Sequence, residues 1–139
     1  MKAKGSRTER ELTHMFNDTG LWAAIRVAGS GLTDDPNPDV LAGNNGRYLA
    51  VECKSIKGTS KYLYPEEIEQ ITSFASRFGA EPWIAIRFNH KGWYFLKPEQ
   101  LEKTKSSNLV INVELAEEKG LRFEDLIKGE DKYAKHNKI

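Results

Sequence analysis

The sequence predicts an α/β fold with a mixed central β-sheet flanked by helices. Segments with helical spacing of apolar residues alternate with short strand-like segments, in the order helix, three strands, helix, two strands and a mixed remainder. The chain has 139 residues, of which 39% are hydrophobic and 29% charged. This length and composition are those of one globular domain with a real core, so we expect a single domain over residues 1–139.

The first predicted elements are a helix and a strand. Ser6 and Glu9 match a capping box, which predicts a helix that begins at Ser6 and runs to Asp18. Leu12 and Phe16 lie on its apolar face, and Gly20 ends it. Residues 21–28 are expected to form a strand.

A β-hairpin is predicted next. The prolines at 36 and 38 prevent regular pairing in the loop that precedes the hairpin. Residues 39–42 are expected to form its short first strand. The sequence Gly-Asn-Asn-Gly at 43–46 is a hairpin turn signal, and residues 47–55 form the longer second strand.

The second half contains a helix, two strands and a mixed remainder. Pro65 begins the helix, apolar residues recur along it at helical spacing, and Gly79 ends it. Residues 83–88 and 93–96 are predicted strands. A short helix near Pro98, a strand at 109–113 and a helix at 121–127 follow, and residues 128–139 are expected to form a flexible tail.

Several classes of protein are excluded. The single cysteine, Cys53, rules out an intrachain disulfide and a multi-cysteine zinc site. No segment approaches the roughly 18 apolar residues of a transmembrane helix. The basic N-terminus is followed by charged residues, not by the apolar run of a secretory signal. We therefore expect a cytoplasmic protein that does not contact a membrane.

The charge distribution is more informative than the net charge of +1. Residues 1–64 carry nine Lys/Arg and seven Asp/Glu, whereas residues 65–127 carry eight and eleven. If a metal neutralised Glu9, Asp39 and Glu52, the first segment would carry a net charge of +5. This favours a polyanionic partner, and an ordinary solvated surface is the alternative.

Two carboxylates and a lysine are expected to meet at one end of the hairpin. On a strand, Glu52 and Lys54 share a face with Ala50, while Cys53 faces the other layer. Antiparallel pairing then brings Asp39, at the start of the preceding strand, close to Glu52. Hard oxygen ligands of this kind hold Mg²⁺, which acidifies a bound water and neutralises charge developing on a phosphate. The lysine can stabilise the same charge.

Each residue also has a simpler interpretation. Asp39 can follow a turn without further function, and Glu52 with Lys54 can form a salt bridge on an exposed strand face. Glu9 is already explained by the capping box, although it could supply a third carboxylate from the first helix.

Taken together, six segments resemble the archaeal Holliday-junction resolvases, a branch of the restriction-endonuclease-like nuclease superfamily. They read GSRTEREL at 5–12, RVAGSG at 26–31, PDV at 38–40, VECK at 51–54, FA and FG within 74–79, and WYF at 93–95. The resemblance implies a restriction-endonuclease-like fold and a metal-dependent nuclease that resolves four-way DNA junctions. It implies Mg²⁺ as the cofactor, for which Mn²⁺ can substitute, and a homodimer with two active sites.

The resemblance also implies roles for individual residues. Glu9, Asp39 and Glu52 would be metal ligands, Lys54 the catalytic lysine, and Ser30 a supporting catalytic residue. The phosphate contacts it implies are Arg10 and Arg26, and the surrounding charge adds Arg7, Lys57 and Lys61. Phe74 and Phe78 are expected at the dimer contact, with the core as the alternative.

Two rival functions differ in substrate or in chemistry. One is a related nuclease that cuts linear or flap DNA, and the other is a catalytically silent protein that binds branched DNA. The intact set of Asp39, Glu52 and Lys54 argues against the second rival. The sequence does not identify the recombination accessory proteins with which such an enzyme would act.

Overall fold

The computed structural model describes residues 2–27, 35 and 37–129, which form four helices and eight strands. The helices are α1 (Lys2–Asp18), α2 (Pro65–Phe78), α3 (Val113–Lys119) and α4 (Phe123–Lys128). The strands are β1 (Ala23–Arg26), β2 (Val40–Gly43), β3 (Tyr48–Ile56), β4 (Ser60–Leu63), β5 (Glu81–Phe88), β6 (Gly92–Leu96), β7 (Glu102–Lys103) and β8 (Leu109–Asn112). Residues Pro98–Gln100 form a short 3₁₀ turn.

The central sheet has five strands in the order β1-β2-β3-β5-β6. The pair β3–β5 is parallel and the other three pairs are antiparallel, so the predicted mixed sheet is confirmed. A second sheet of three short strands has the order β4-β8-β7.

Helices cover both faces of the central sheet, as predicted. On one face, α1 and α4 pack over a core that contains Leu12, Phe16 and Leu126. On the other face, α2 and α3 pack over a core that contains Ile71, Ala75 and Ala116. This packing removes most of each apolar face from water, which supplies the main driving force for the fold.

The hairpin between β2 and β3 forms where the sequence predicts it. Asn45 adopts a positive φ of 71°, a conformation that asparagine tolerates better than most residues. The Asn44 side chain accepts the N–H groups of Gly46 and Arg47 at 3.0 and 2.7 Å. The turn therefore fixes the register, in which Val40 pairs with Val51.

The boundaries of several elements differ from the sequence predictions. The predicted start of the first helix at Ser6 is wrong, because α1 begins at Lys2 and includes both Ser6 and Glu9. The residues before Ser6 include lysine and alanine, which are good helix formers and extend the helix. The first strand is shorter than predicted, and α4 extends to Lys128, the first residue of the predicted tail. Residues 130–139 lie outside the described part of the chain.

Three elements were not predicted, namely β4, the two-residue strand β7 and α3. The polar segment before Pro65 contains β4, which pairs with the distant strand β8. The helix α3 directly follows β8, and the Asn112 side chain caps it by accepting the N–H of Leu115 at 2.7 Å. Within the described residues, no helix is long and apolar enough to cross a membrane.

Candidate active site

Asp39 lies at the end of the hairpin, just before β2, and is 8% exposed. Its backbone joins two neighbouring strands, since its N–H donates to Val51 O and its carbonyl accepts the N–H of Val27, both at 2.9 Å. Its Oδ2 accepts the N–H of Cys53 at 2.9 Å. Backbone and side-chain bonds together fix this carboxylate at the strand end.

Glu52 and Lys54 project from β3 on the face covered by α2. The face assignment follows from strand alternation, because Ala50 belongs to the core on the α2 side and Cys53 packs on the α1 side. The Lys54 Nζ lies 3.8 Å from Glu52 Oε2. Both side chains are mostly buried, with exposed fractions of 18% and 22%. The predicted meeting of Asp39, Glu52 and Lys54 is therefore present in the structure.

The two carboxyl groups of Asp39 and Glu52 are close enough to share a hydrogen bond. Burial, together with the neighbouring Asp39 charge, raises the pKa of Glu52 to about 8. Two like charges in a mostly buried site repel each other, which favours the protonated form of Glu52. A cation bound between the two carboxylates would remove that repulsion.

Glu9 reaches the same end of the sheet from the opposite face. It lies on α1 on the side of Leu12 and Phe16, and its Oε1 accepts from Arg26 Nε at 2.9 Å. Burial raises the pKa of Glu9 and the charge of Asp39 raises it further, against the opposing effect of Arg26. Arg26, expected to contact DNA, thus holds a site carboxylate in this structure.

No group of three or more His, Cys, Asp or Glu side chains is close enough to hold a metal ion within residues 2–27, 35 and 37–129. The structure brings Asp39 and Glu52 together, while Glu9 is held by Arg26. A metal site with all three carboxylates remains a prediction.

Glu67, in the first turn of α2, is a neighbour of the site that sequence reasoning missed. Its Oε1 accepts from Lys54 Nζ at 2.5 Å. Burial acts to lower the pKa of Lys54, but the bond to Glu67 and the charge of Glu52 outweigh it and raise the pKa. The lysine is therefore a protonated ammonium. The sequence already explains Glu67 as an acid in the first turn of a helix. This explanation gives no indication of its contact with Lys54 on β3.

Apart from Arg26 on β1, the residues expected to contact DNA lie in three places. Arg7 and Lys57 line a cleft of about 320 Å³ beside the C-terminal ends of β3 and β5, together with Arg87, which was not predicted. Arg10 is exposed on α1, and Lys61 lies on β4. Ser30, expected to support catalysis, lies outside the described residues.

Phe74 and Phe78 lie on α2 with their rings stacked, 5.1 Å apart between centroids. Phe74 packs partly against the core of the α2 side, whereas Phe78 is 57% exposed. Phe78 borders an apolar cleft of about 260 Å³ that includes Ile25 and Tyr48. The core interpretation therefore accounts for Phe74 better than for Phe78.

The five-stranded mixed sheet with helices on both faces is of the restriction-endonuclease-like nuclease class. A model of the archaeal Holliday junction resolvase family, Hjc, matches residues 1–134, almost the whole chain. The chain belongs to this family, and it is accordingly a nuclease that hydrolyses phosphodiester bonds.

Two similar proteins and one solved structure illustrate how closely the chain follows the family. The crossover junction endodeoxyribonuclease Hjc of Archaeoglobus fulgidus is 40% identical over 131 residues, covering 90% of this chain and 96% of that protein. The protein of the same name from Methanocaldococcus jannaschii is 39% identical, covering 78% of this chain and 76% of that protein. The solved structure of Archaeoglobus fulgidus Hjc matches with a TM-score of 0.81 at 38% identity, covering 88% of this chain and 98% of that one.

Proposed function

We propose that this chain is a Mg²⁺-dependent endonuclease that resolves four-way DNA junctions by paired, symmetric nicks in recombination and repair. Its membership of the resolvase family supports the four-way junction as the substrate. The observation that carries the chemistry is the meeting of Asp39, Glu52 and Lys54 at one end of the hairpin. Because the family is archaeal, we infer a cell without a nucleus, in which the DNA lies in the cytoplasm. We therefore infer that the protein is cytoplasmic.

Asp39 and Glu52 suit a hard divalent cation. Their carboxyl groups are adjacent and largely buried, and the charge of Asp39 helps to raise the pKa of Glu52, a repulsion that a cation bound between them would relieve. Oxygen ligands of this kind favour Mg²⁺, and Mn²⁺ accepts the same donors. Glu9 would join them directly or through a water molecule. The bound cation would acidify a water and neutralise charge on the scissile phosphate.

Lys54 contributes a positive charge that does not depend on the metal. Its ammonium can donate to a non-bridging phosphate oxygen, whose negative charge grows as the attacking water oxygen adds to the phosphorus. The mostly buried position strengthens this interaction relative to one in bulk water. Lys54 therefore acts on the transition state, whereas Asp39 and Glu52 bind the metal.

The surface beside the site suits a DNA backbone. Arg7, Lys57 and Arg87 line the adjacent cleft, where Arg87 also donates to Glu11 Oε2 at 2.9 Å, and Arg10 is exposed on the same helix as Arg7. Phosphate contacts of this kind position DNA without reading its bases. We infer that one arm of the junction follows this cleft.

We also propose a homodimer, because paired nicks need two active sites and each chain carries one. A two-fold dimer relates the sites by symmetry. Phe78, Ile25 and Tyr48 are exposed at 57%, 60% and 49%, and they supply an apolar surface next to β1, an edge strand of the sheet. Burying this surface would favour association.

The decisive experiment incubates the protein with labelled four-way junction, linear duplex and flap DNA, with Mg²⁺, Mn²⁺ or EDTA, and resolves the strands on a denaturing gel. We expect symmetric nicks in the junction with either metal and none in EDTA. Equal cutting of duplex or flap would identify the related nuclease instead. Junction binding without cutting in any metal would identify a silent DNA-binding protein.

A further inference from the structure

Glu67 joins the second helix to the active-site lysine. It occupies the third position of α2, and its two carboxylate oxygens have different partners. The Oε1 atom accepts from Lys54 Nζ at 2.5 Å, and the Oε2 atom accepts the backbone N–H of Tyr64 at 3.0 Å. One side chain therefore caps the helix and holds the lysine.

Glu52 and Glu67 compete for the same ammonium group. The distance from Lys54 Nζ to Glu52 Oε2 is 3.8 Å, which is too long for a hydrogen bond. The lysine is thus hydrogen-bonded to Glu67, whereas it lies near Glu52 without a hydrogen bond to it. Because a largely buried charge is costly to leave unpaired, removal of Glu67 would move Lys54 onto Glu52, its other ion-pair partner among the described residues.

We propose that Glu67 is a positioning residue that holds Lys54 beside, and not on, the Glu52 carboxylate. In this position Glu52 stays available to a metal ion, and an ammonium N–H stays available to a phosphate oxygen, since an ammonium has three donors. This inference rests on the proposed function, because it needs Lys54 to act on the phosphate.

Two variants of Glu67 and one control test this role. Glu67→Ala removes both contacts. Glu67→Gln removes the charge but keeps an oxygen that can accept the Tyr64 N–H. Glu66→Gln makes the same charge change one residue earlier, at an exposed position in the same helical turn. We expect both Glu67 variants to lower the single-turnover cleavage rate about 10- to 100-fold, as outer-shell changes do, while Glu66→Gln keeps the wild-type rate. Junction affinity without divalent metal should stay unchanged in all three.

A double-mutant cycle separates positioning from a general loss of structure. Lys54→Ala alone should slow cleavage, and Glu67→Gln added to it should cause no further loss, because the residue that Glu67 positions is gone. If Glu67→Gln slowed cleavage equally in both backgrounds, the role would be merely structural and the proposal would be overturned.

A measurement on the metal-free protein does not depend on cleavage. In a ¹⁵N-labelled sample, the ammonium resonance of Lys54 should shift in Glu67→Gln and not in Glu66→Gln. An unchanged resonance in Glu67→Gln would overturn the proposal. If the wild-type protein cut no junction with Mg²⁺, the proposed function would fail, whereas a wild-type enzyme that needs Lys54 but not Glu67 would refute the positioning role alone.

Discussion

Asp39 performs two tasks that a single substitution can separate. Its carboxylate is a proposed metal ligand, and its Oδ2 also accepts the N–H of Cys53, which helps to hold the end of the hairpin. Asparagine keeps a carbonyl oxygen for the Cys53 N–H but loses the charge that a metal needs. The structural task should therefore survive in Asp39→Asn, while the metal-binding task should not.

We expect Asp39→Asn to lower junction cleavage by at least about 10³-fold, with a thermal midpoint and junction affinity close to those of the wild type. The measurements are single-turnover cleavage at saturating Mg²⁺, a thermal melt, and a binding titration in EDTA. Wild-type turnover by this variant would contradict the assignment of Asp39 as a ligand.

Glu52→Gln should stabilise the metal-free protein while it abolishes cleavage. The folded state raises the pKa of Glu52 to about 8 from an ordinary value of 4.5, so the wild-type protein loses stability as pH rises through this range. Glutamine has no such titration. Between pH 6 and 8 in EDTA, the stability advantage of Glu52→Gln should grow by about 1–2 kcal/mol, measured by urea unfolding. A constant difference would mean that Glu52 does not titrate in this range.

The positions of single residues were predictable where a local pattern determines them. The acid before the hairpin and the Glu-Cys-Lys sequence on β3 identified Asp39, Glu52 and Lys54, because strand alternation and hairpin pairing follow from short-range rules. Glu67 was not identified, because its contact with Lys54 depends on how α2 docks against β3. The same limit hid the bond between Glu9 and Arg26, which joins α1 to β1.

At the level of elements, local signals located helices and hairpins but not distant pairings. Pro65 and Gly79 bound α2 as predicted, with Gly79 in the left-handed conformation at a φ of 88°. The strand β4 was missed, since its polar sequence becomes a strand only by pairing with β8. Helix α3 did carry a local signal, the Asn112 cap, which the strand pattern before it obscured.

The start of β3 is tied to β5 and α4 by one arginine. Arg47 donates two hydrogen bonds to Glu81, at 2.9 and 2.8 Å, and a third to the carbonyl of Leu126 at 2.7 Å. The bond to Arg47 is the main reason that the pKa of Glu81 is lowered. Arg47 directly precedes the first residue of β3, whereas Glu52 is the fifth residue of this nine-residue strand, so loss of the cluster should affect stability and not catalysis.

We expect Glu81→Gln to lower the free energy of unfolding by about 1 kcal/mol at pH 7, a value reduced for the partial exposure of the pair. Because the pKa of Glu81 is lowered from 4.5 in the folded state, this contribution is complete above pH 4.5 and is lost as pH falls through the lowered value. Urea unfolding of wild type, Glu81→Gln and the exposed control Glu69→Gln across pH 3–7 measures it. A difference that persisted at pH 3 would contradict this account.

Among the residues that the structure describes, none covers the part of the central sheet formed by β1 and β2 on the α2 side. On the α2 side, the helix packs against β3 and β5, and the exposed residues Ile25 and Phe78 border the adjoining apolar cleft.

We expect Phe78→Ala to weaken dimerisation about tenfold or more with little change in the stability of the subunit, since Phe78 is 57% exposed. Sedimentation velocity at micromolar concentration tests this, with the exposed Tyr62→Ala as the control. A wild-type protein that sediments only as a 15.8 kDa species would refute the dimer.

Recognition by the assembled molecule should depend on the shape of the DNA and on salt. The proposed DNA contacts are cations that reach phosphates, and neutralising phosphates releases counterions, so junction affinity should fall steeply as salt rises. Arg10→Ala should weaken binding to junctions of any sequence by a similar factor and reduce the slope of log affinity against log salt by about 1. Lys105→Ala, which removes an exposed charge between β7 and β8, is the control and should change neither the junction affinity nor the salt slope.

The measurement is a competition assay in EDTA, in which two junctions of unrelated sequence are challenged with linear duplex at several salt concentrations. Equal competition by linear duplex, or strong dependence on junction sequence, would contradict recognition by shape, because contacts to phosphates carry no information about bases.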